Sequence, residues 1–210
     1  MDNTMDETRA RELICEVGRR LWQVGFAPAN AGNLSTRLDD GRLLCTPTLV
    51  SKGFMQPEEM VVLDLEGRTI GPGKASSEVL MHLEVYRRRP DVAGVVHVHP
   101  PVATGFAAAG QALPCDILTE VLGTLGEVPL VPLSVPGTPE VPENLVPFLA
   151  DHDAFLLANH GVLTVGPDLW QAFYRMEIVE HAAQVALVAH QLGGAERIPP
   201  ERAALMRVKR

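Results

Sequence analysis

Pro90 stands just before a β-branched run at residues 92–99, and Pro100-Pro101 stands directly after it, so that stretch is a short strand closed at both ends. The segment upstream is the opposite kind of element. Ser76 offers a helix cap, Glu78 falls in the first turn, and Arg87, Arg88 and Arg89 fill the last turn before Pro90 stops it. A capped helix feeding a truncated strand restricts the chain to folds that mix helices with a sheet.

The rest of the sequence keeps to that alternation. Leu13, Ile14, Val17, Leu21 and Val24 recur at three- and four-residue steps, predicting an amphipathic helix over 8–25. Residues 31–38 and 43–46 flank Asp39-Asp40-Gly41-Arg42, whose Asp-Gly pair reads as a hairpin turn, and 60–65 with 68–70 form a second hairpin around Glu66-Gly67. A helix follows at 102–109 with Gly110 as its stop. The Pro-rich span 129–147 reads as loop with strand pieces such as Leu130-Val131, and 154–157 and 162–165 are two further strands. A long helix runs over 169–192 and ends at Gly193-Gly194. Without repeats or a long linker, 210 residues are expected to make a single α/β domain of three layers, a mostly antiparallel sheet flanked by helices. Short flexible segments are expected at about 1–7 and 195–210.

Composition narrows the partners. Eighteen basic against 26 acidic side chains leave a formal charge of −8, which argues against a nucleic-acid footprint. Cys15, Cys45 and Cys115 form no CxxC pair, so a reducing compartment is expected. The acidic start Met1-Asp2-Asn3-Thr4-Met5-Asp6-Glu7 lacks a signal-peptide pattern, and no apolar stretch approaches the ~20 residues of a membrane span. The expected setting is the cytoplasm, with neither nucleic acid nor membrane as partner.

Three positions carry chemistry. His97 and His99 are two apart on a strand and so share one face, where both imidazoles can reach one ion; the same spacing also suits two histidines held by ordinary hydrogen bonds. A third, His160, lies in Asn159-His160-Gly161 after a short apolar run, with Gly161 read as permitting a sharp turn. Three neutral imidazoles with an open fourth position suit a catalytic zinc ion. Glu78, behind Ser76-Ser77 at a helix start, is either a base beside an anion site or an ordinary first-turn acid. Gly32-Asn33 suits a tight turn. His82, His152, His181 and His190 read as structural.

In order, Ala31-Gly32-Asn33-Leu34-Ser35, Thr46-Pro47-Thr48, Ser76-Ser77-Glu78 with His82, His97-Val98-His99-Pro100 and Asn159-His160-Gly161 resemble the class II aldolase/adducin family over about 11–193. The resemblance implies His97, His99 and His160 as zinc ligands, with Mn2+ or Co2+ also compatible with imidazole. It implies Glu78 as acid/base, and Gly32, Asn33, Thr48, Ser76 and Ser77 around a substrate phosphate. It further implies a homotetramer with active sites at subunit interfaces. The implied reaction is reversible retro-aldol cleavage of a ketose 1-phosphate to dihydroxyacetone phosphate and an aldehyde. A 4-epimerase, a decarboxylase or a methylthioribulose-1-phosphate dehydratase would use the same core motifs. A non-enzymatic adducin-like module is disfavoured because the three histidines and Glu78 are all present, and a cupin-type iron site fails on the order of its ligands.

The chain departs from fuculose-phosphate aldolases in three places. Leu49 stands where they have glycine, with Lys52 nearby reading as a solvated loop lysine rather than a compensating charge. The tyrosine beyond their two-histidine strand has no counterpart in Pro114-Cys115-Asp116-Ile117-Leu118-Thr119-Glu120, and the tail after Gly194 holds no tyrosine.

Overall fold

Asp6 caps the first helix by accepting a hydrogen bond from Arg9 N at 2.8 Å. This computed structural model describes residues 6–206. Helix α1 (Glu7–Gln23) buries Ile14, Val17 and Leu21 of the expected stripe together with Ala10, while Leu13 is half-buried and Val24, just past the helix end, is exposed. Strands β1 (Asn33–Arg37) and β2 (Leu43–Cys45) form the first hairpin, closed by Leu38 N donating to Arg42 O at 2.8 Å. Strands β3 (Val61–Leu63) and β4 (Thr69–Ile70) form the second. Helix α2 (Val79–Arg88), strand β5 (Gly94–Val98) and helix α3 (Pro101–Ala108) follow, Pro101 occupying a first-turn position where no N–H is needed. Then come α4 (Thr119–Thr124), β6 (Leu130–Val131), α5 (Glu140–Leu145), β7 (Ala154–Leu157), β8 (Gly161–Gly166), α6 (Leu169–Gln191) and α7 (Pro200–Met206).

The eight strands form one sheet in the order β4-β3-β2-β1-β5-β8-β7-β6. Every pairing is antiparallel except β6 with β7, in agreement with the expected mostly antiparallel sheet between helical layers. Side chains alternate between two cores, as strand geometry requires. Val96, Val98, Leu156 and Val162 join α1, α3 and α6 on one face, while Val95, Phe155, Leu163 and Val165 join α2 and α5 on the other. His97 has the parity of Val95 and so points to the α2 side. That parity aims the two-histidine motif at the start of α2.

Several sequence expectations change. Helix α2 begins at Val79 with Glu78 as its N-cap residue, so Ser76 is not the cap and Glu78 is not inside the first turn. Ser76 Oγ instead accepts from Glu78 N at 3.3 Å, an alternative local bond that Ser side chains offer the backbone. The span read as loop around Pro139 and Pro142 contains α5, because proline at the first positions of a helix removes donors that would lack partners anyway. The sequence reading contains neither α4 nor α7, and α7 places seven residues of the segment expected to be a flexible tail in a helix. At the other end Glu7 already belongs to α1. The remainder of both terminal expectations, 1–5 and 207–210, lies outside the described residues. All three cysteines are free thiols, and no helix among the described residues is long and apolar enough to cross a membrane.

Candidate metal centre

His97 sits on β5, His99 just beyond its end, and His160 in the turn that joins β7 to β8. One ring nitrogen from each lies within 4.8 Å of the other two. Antiparallel pairing of β5 with β8 does this, since the register Val98 with Val162 places the end of one strand beside the beginning of the other. The turn residue with left-handed backbone is Asn159, at φ +57, and not the glycine after it. Gly161 has a different role: a Cβ there would come within 2.5 Å of His99 Cδ2 and 2.8 Å of Val98 O. Its missing side chain is the space the His99 ring occupies. Gly32, at φ +76, likewise lets the chain before β1 press on β5, because a Cβ there would meet His97 O at 2.7 Å.

The nitrogens are prepared for a cation. His97 is buried, and its Nδ1–H donates to Val162 O at 2.9 Å, which leaves the Nε2 lone pair facing His99 Nε2 at 3.3 Å. Burial pushes the His97 and His99 imidazoles below their ordinary value and so favours the neutral, ligating form. Glu78 closes the cluster: Oε1 lies 3.0 Å from His160 Nε2 and Oε2 lies 3.5 Å from His97 Nε2. Burial opposes its charge, but His160, His97 and the Asn33 amide hold the carboxyl well below the usual carboxylate range. Glu78 Oε1 is buried without a well-directed hydrogen bond. Three converging imidazoles beside an under-satisfied carboxylate oxygen make a donor set that fits a divalent cation.

Of the residues expected around a phosphate, Gly32 and Asn33 lie at the start of β1, and Thr48, Ser76 and Ser77 lie on two neighbouring loops. Thr48 N donates to Lys74 O at 3.0 Å and Ser76 N to Thr46 O at 3.4 Å, across an isolated bridge between Pro47 and Ala75. Thr46 anchors both loops to β1 by exchanging bonds with Leu34, through Oγ1 at 3.2 Å and its own N–H at 3.0 Å. Thr48 and Ser76 are half-buried and Ser77 is exposed. Asn33 is buried, with its side chain turned to Glu78: Nδ2 donates to Glu78 Oε2 at 2.8 Å.

Two loop residues behave differently from the sequence reading. Lys52 is only 1% exposed rather than solvated, and its Nζ donates to Asn30 O at 3.1 Å and Val50 O at 2.6 Å. Burial pushes the ammonium down to about 8, against the pull of Glu78. Leu49, at φ +60 and 79% exposed, keeps the left-handed backbone that a glycine would adopt without strain. The residues that sequence reasoning missed are Ser35 and Tyr86, and it gave His82 no role beside the site. Both His82 and Tyr86 are buried on the α2 face that carries Glu78, where a four-residue spacing was the available signal.

Residues 12–187 match the profile of the Class II Aldolase and Adducin N-terminal domain. The 3-oxo-tetronate 4-phosphate decarboxylase of Haemophilus influenzae is 35% identical over 185 residues, covering 86% of this chain and 88% of that protein. The methylthioribulose-1-phosphate dehydratase of Methylococcus capsulatus is 34% identical over 195 residues, covering 86% and 94%. Among solved structures, an L-fuculose 1-phosphate aldolase superposes with a TM-score of 0.89 at 27% identity, covering 98% of this chain and 97% of that one.

Proposed function

The chain belongs to the Class II Aldolase and Adducin N-terminal domain family, and from its three converging histidines and its decarboxylase and aldolase relatives we propose that it is a zinc-dependent carbon–carbon lyase of a small phosphorylated keto compound. Its leading activity is decarboxylation of a 3-oxo acid phosphate. Loss of CO2 from 3-oxo-tetronate 4-phosphate leaves dihydroxyacetone phosphate, and retro-aldol cleavage of a ketose 1-phosphate leaves the same product. Both reactions therefore pass through one enediolate and differ only in the fragment released.

The tyrosine inventory carries the choice. The sequence holds two tyrosines, Tyr86 buried beneath α2 and Tyr174 stacked on Trp170 on the exposed side of α6. Retro-aldol cleavage must remove a proton from the hydroxyl that becomes the aldehyde, so it requires a second proton-transfer group. Decarboxylation releases CO2 with no such proton, and Glu78 suffices. Retro-aldol cleavage remains the second reading, supported by the likeness to the fuculose-phosphate aldolase fold.

His97, His99 and His160 would hold the metal, which when bound supplies Lewis-acid stabilisation of charge developing on a substrate oxygen. The chain's own residues do the rest. Gly32, Thr48, Ser76 and Ser77 take the phosphate, together with the amide hydrogen of Asn33 that Glu78 does not use. Lys52, buried behind that loop, adds positive charge on the same side. As the carbon–carboxyl bond breaks, its electron pair moves to the adjacent carbon and carbonyl oxygen. Glu78 then transfers a proton taken from water to that carbon and returns to the carboxylate. The same reading carries assembly as a homotetramer with sites at subunit interfaces, which sedimentation equilibrium tests.

The deciding experiment gives zinc-loaded protein 3-oxo-tetronate 4-phosphate in D2O, beside a ketose 1-phosphate, with CO2 trapping and NMR. The expected result is CO2 and dihydroxyacetone phosphate carrying one deuterium on the hydroxymethyl carbon. Aldehyde from the ketose phosphate without CO2 transfers the assignment to retro-aldol cleavage. Neither product from metal-bound protein overturns the lyase reading.

A further inference from the structure

Glu78, His82 and Tyr86 are four residues apart along the start and body of α2, and Asn33 and Ser35 are two apart on β1. Four helical residues rise about 6 Å and two strand residues about 6.7 Å. The two stripes therefore stay nearly in step where helix lies over sheet, and their side chains interleave as rungs. Asn33 Nδ2 lies 2.8 Å from Glu78 Oε2, and Asn33 Oδ1 lies 2.5 Å from His82 Nε2. His82 Nδ1 lies 2.6 Å from Ser35 Oγ, which lies 2.8 Å from Tyr86 Oη. Asn33, Ser35, His82 and Tyr86 are all buried, at 3% exposure or less.

Donor and acceptor roles along this chain are fixed by its end. A carboxylate accepts only, so the Asn33 amide nitrogen faces Glu78 and its carbonyl oxygen must accept from His82. His82 therefore carries its proton on Nε2, and burial, which pushes its pKa down to about 4, leaves Nδ1 bare to accept from Ser35. With its hydrogen spent on His82, Ser35 accepts in turn from Tyr86. All four bonds point toward Glu78, and none can be reversed without stranding a buried polar group. Arg37, the next inward rung of β1, closes the far end by donating to Tyr86 O at 2.7 Å with its guanidinium 5.1 Å above the Tyr86 ring.

We propose that His82 is a positioning residue for the acid/base: through Asn33, and braced by Ser35 and Tyr86, it fixes the orientation of the Glu78 carboxylate. This rests on the reading of Glu78 as acid/base and adds a role to a histidine outside the metal cluster. His82 touches neither the ligands nor the substrate side; its effect passes through the orientation of one amide.

Two measurements test it. The first needs no turnover: 15N spectra of metal-free protein should show His82 protonated on Nε2 and bare on Nδ1. One Asn33 side-chain proton should be displaced downfield and should move in His82→Asn. The opposite tautomer overturns the proposal. The second follows deuterium exchange into dihydroxyacetone phosphate by zinc-loaded protein. His82→Asn, which loses the donor to Asn33, should lower kcat about tenfold with KM nearly unchanged, and His82→Gln, which keeps a donor at that reach, should recover most of it. Tyr86→Phe retains the ring's packing and should give a smaller loss. In a Glu78→Gln background, His82→Asn should cost nothing further. Equal loss in both backgrounds overturns the positioning role alone, whereas full exchange by Glu78→Gln overturns the acid/base reading beneath it.

Discussion

Asn33 and His97 are register partners across β1 and β5. The residue that steadies the carboxylate and the residue that presents the most buried ring nitrogen are thus neighbours on the sheet. A rigid antiparallel ladder fixes their separation, and neither depends on a loop for its place. The amide that bonds Glu78 and one imidazole of the histidine cluster are thus held by the same pair of strands.

Replacing Glu78, the proposed acid/base, with glutamine keeps the volume and removes the carboxylate. Turnover should fall by about 10²–10⁴-fold while bound metal stays near one per chain. Metal analysis beside deuterium exchange into dihydroxyacetone phosphate reads both, and loss of metal together with activity would show that Glu78 serves mainly as a ligand.

Gly161→Ala should be more damaging to the metal centre than its size suggests. The new Cβ would sit 2.5 Å from His99 Cδ2, so the ring must turn or the strand end must move. Metal affinity should drop by about tenfold, read by competition with a chelator, whereas Gly105→Ala, where a Cβ meets nothing within 4 Å, should leave it unchanged.

Leu49 holds φ +60 with 79% of its surface in water, so it bears left-handed strain with little packing in return. Leu49→Gly should raise stability by about 1 kcal/mol, after the greater unfolded-state freedom of glycine is subtracted. Leu49→Val should lower it. Urea midpoints of the three proteins decide, and a stability loss in Leu49→Gly would mean the side chain makes contacts that offset the strain.

Acid should destabilise the metal-free protein over a defined window. His82 is pushed down to about 4 from 6.5 and His97 is shifted in the same direction, both by burial. The unfolded chain therefore binds more protons than the folded chain below pH 6.5, and stability, complete above that value, is lost as pH falls toward 4. The slope should approach about 1.4 kcal/mol per pH unit for each proton taken up. Denaturant midpoints at pH 7.5, 5.5 and 4.5 measure it; a flat profile would contradict buried neutral imidazoles.

The sheet and the histidine cluster were legible because they follow from period and punctuation. Two residues on one strand share a face whatever surrounds them, and Pro100-Pro101 marks where that strand ends. Part of what escaped depends on contacts between distant segments, and part on which of two local bonds forms. Nothing local to Lys52 says that the carbonyls of Asn30 and Val50 will enclose it. The glycine after His160 reads as a turn residue, because its true requirement, room for the His99 ring, comes from another part of the chain. Ser76 has the chemistry of a cap for α2, but its hydroxyl bonds Glu78 N and the helix starts two residues later than a Ser76 cap would place it. The prolines of α5 misled by type, since their position in the first turn mattered more than their presence.

Thr46 ties the Leu49 loop to the strand that carries Asn33, while Leu49 itself faces water at 79% exposure. A change of side chain at Leu49 can therefore alter what the loop presents to solvent without removing any bond to Glu78 or the histidines. The coexistence of decarboxylase, dehydratase and aldolase among this chain's relatives is the diversity such a division of labour permits.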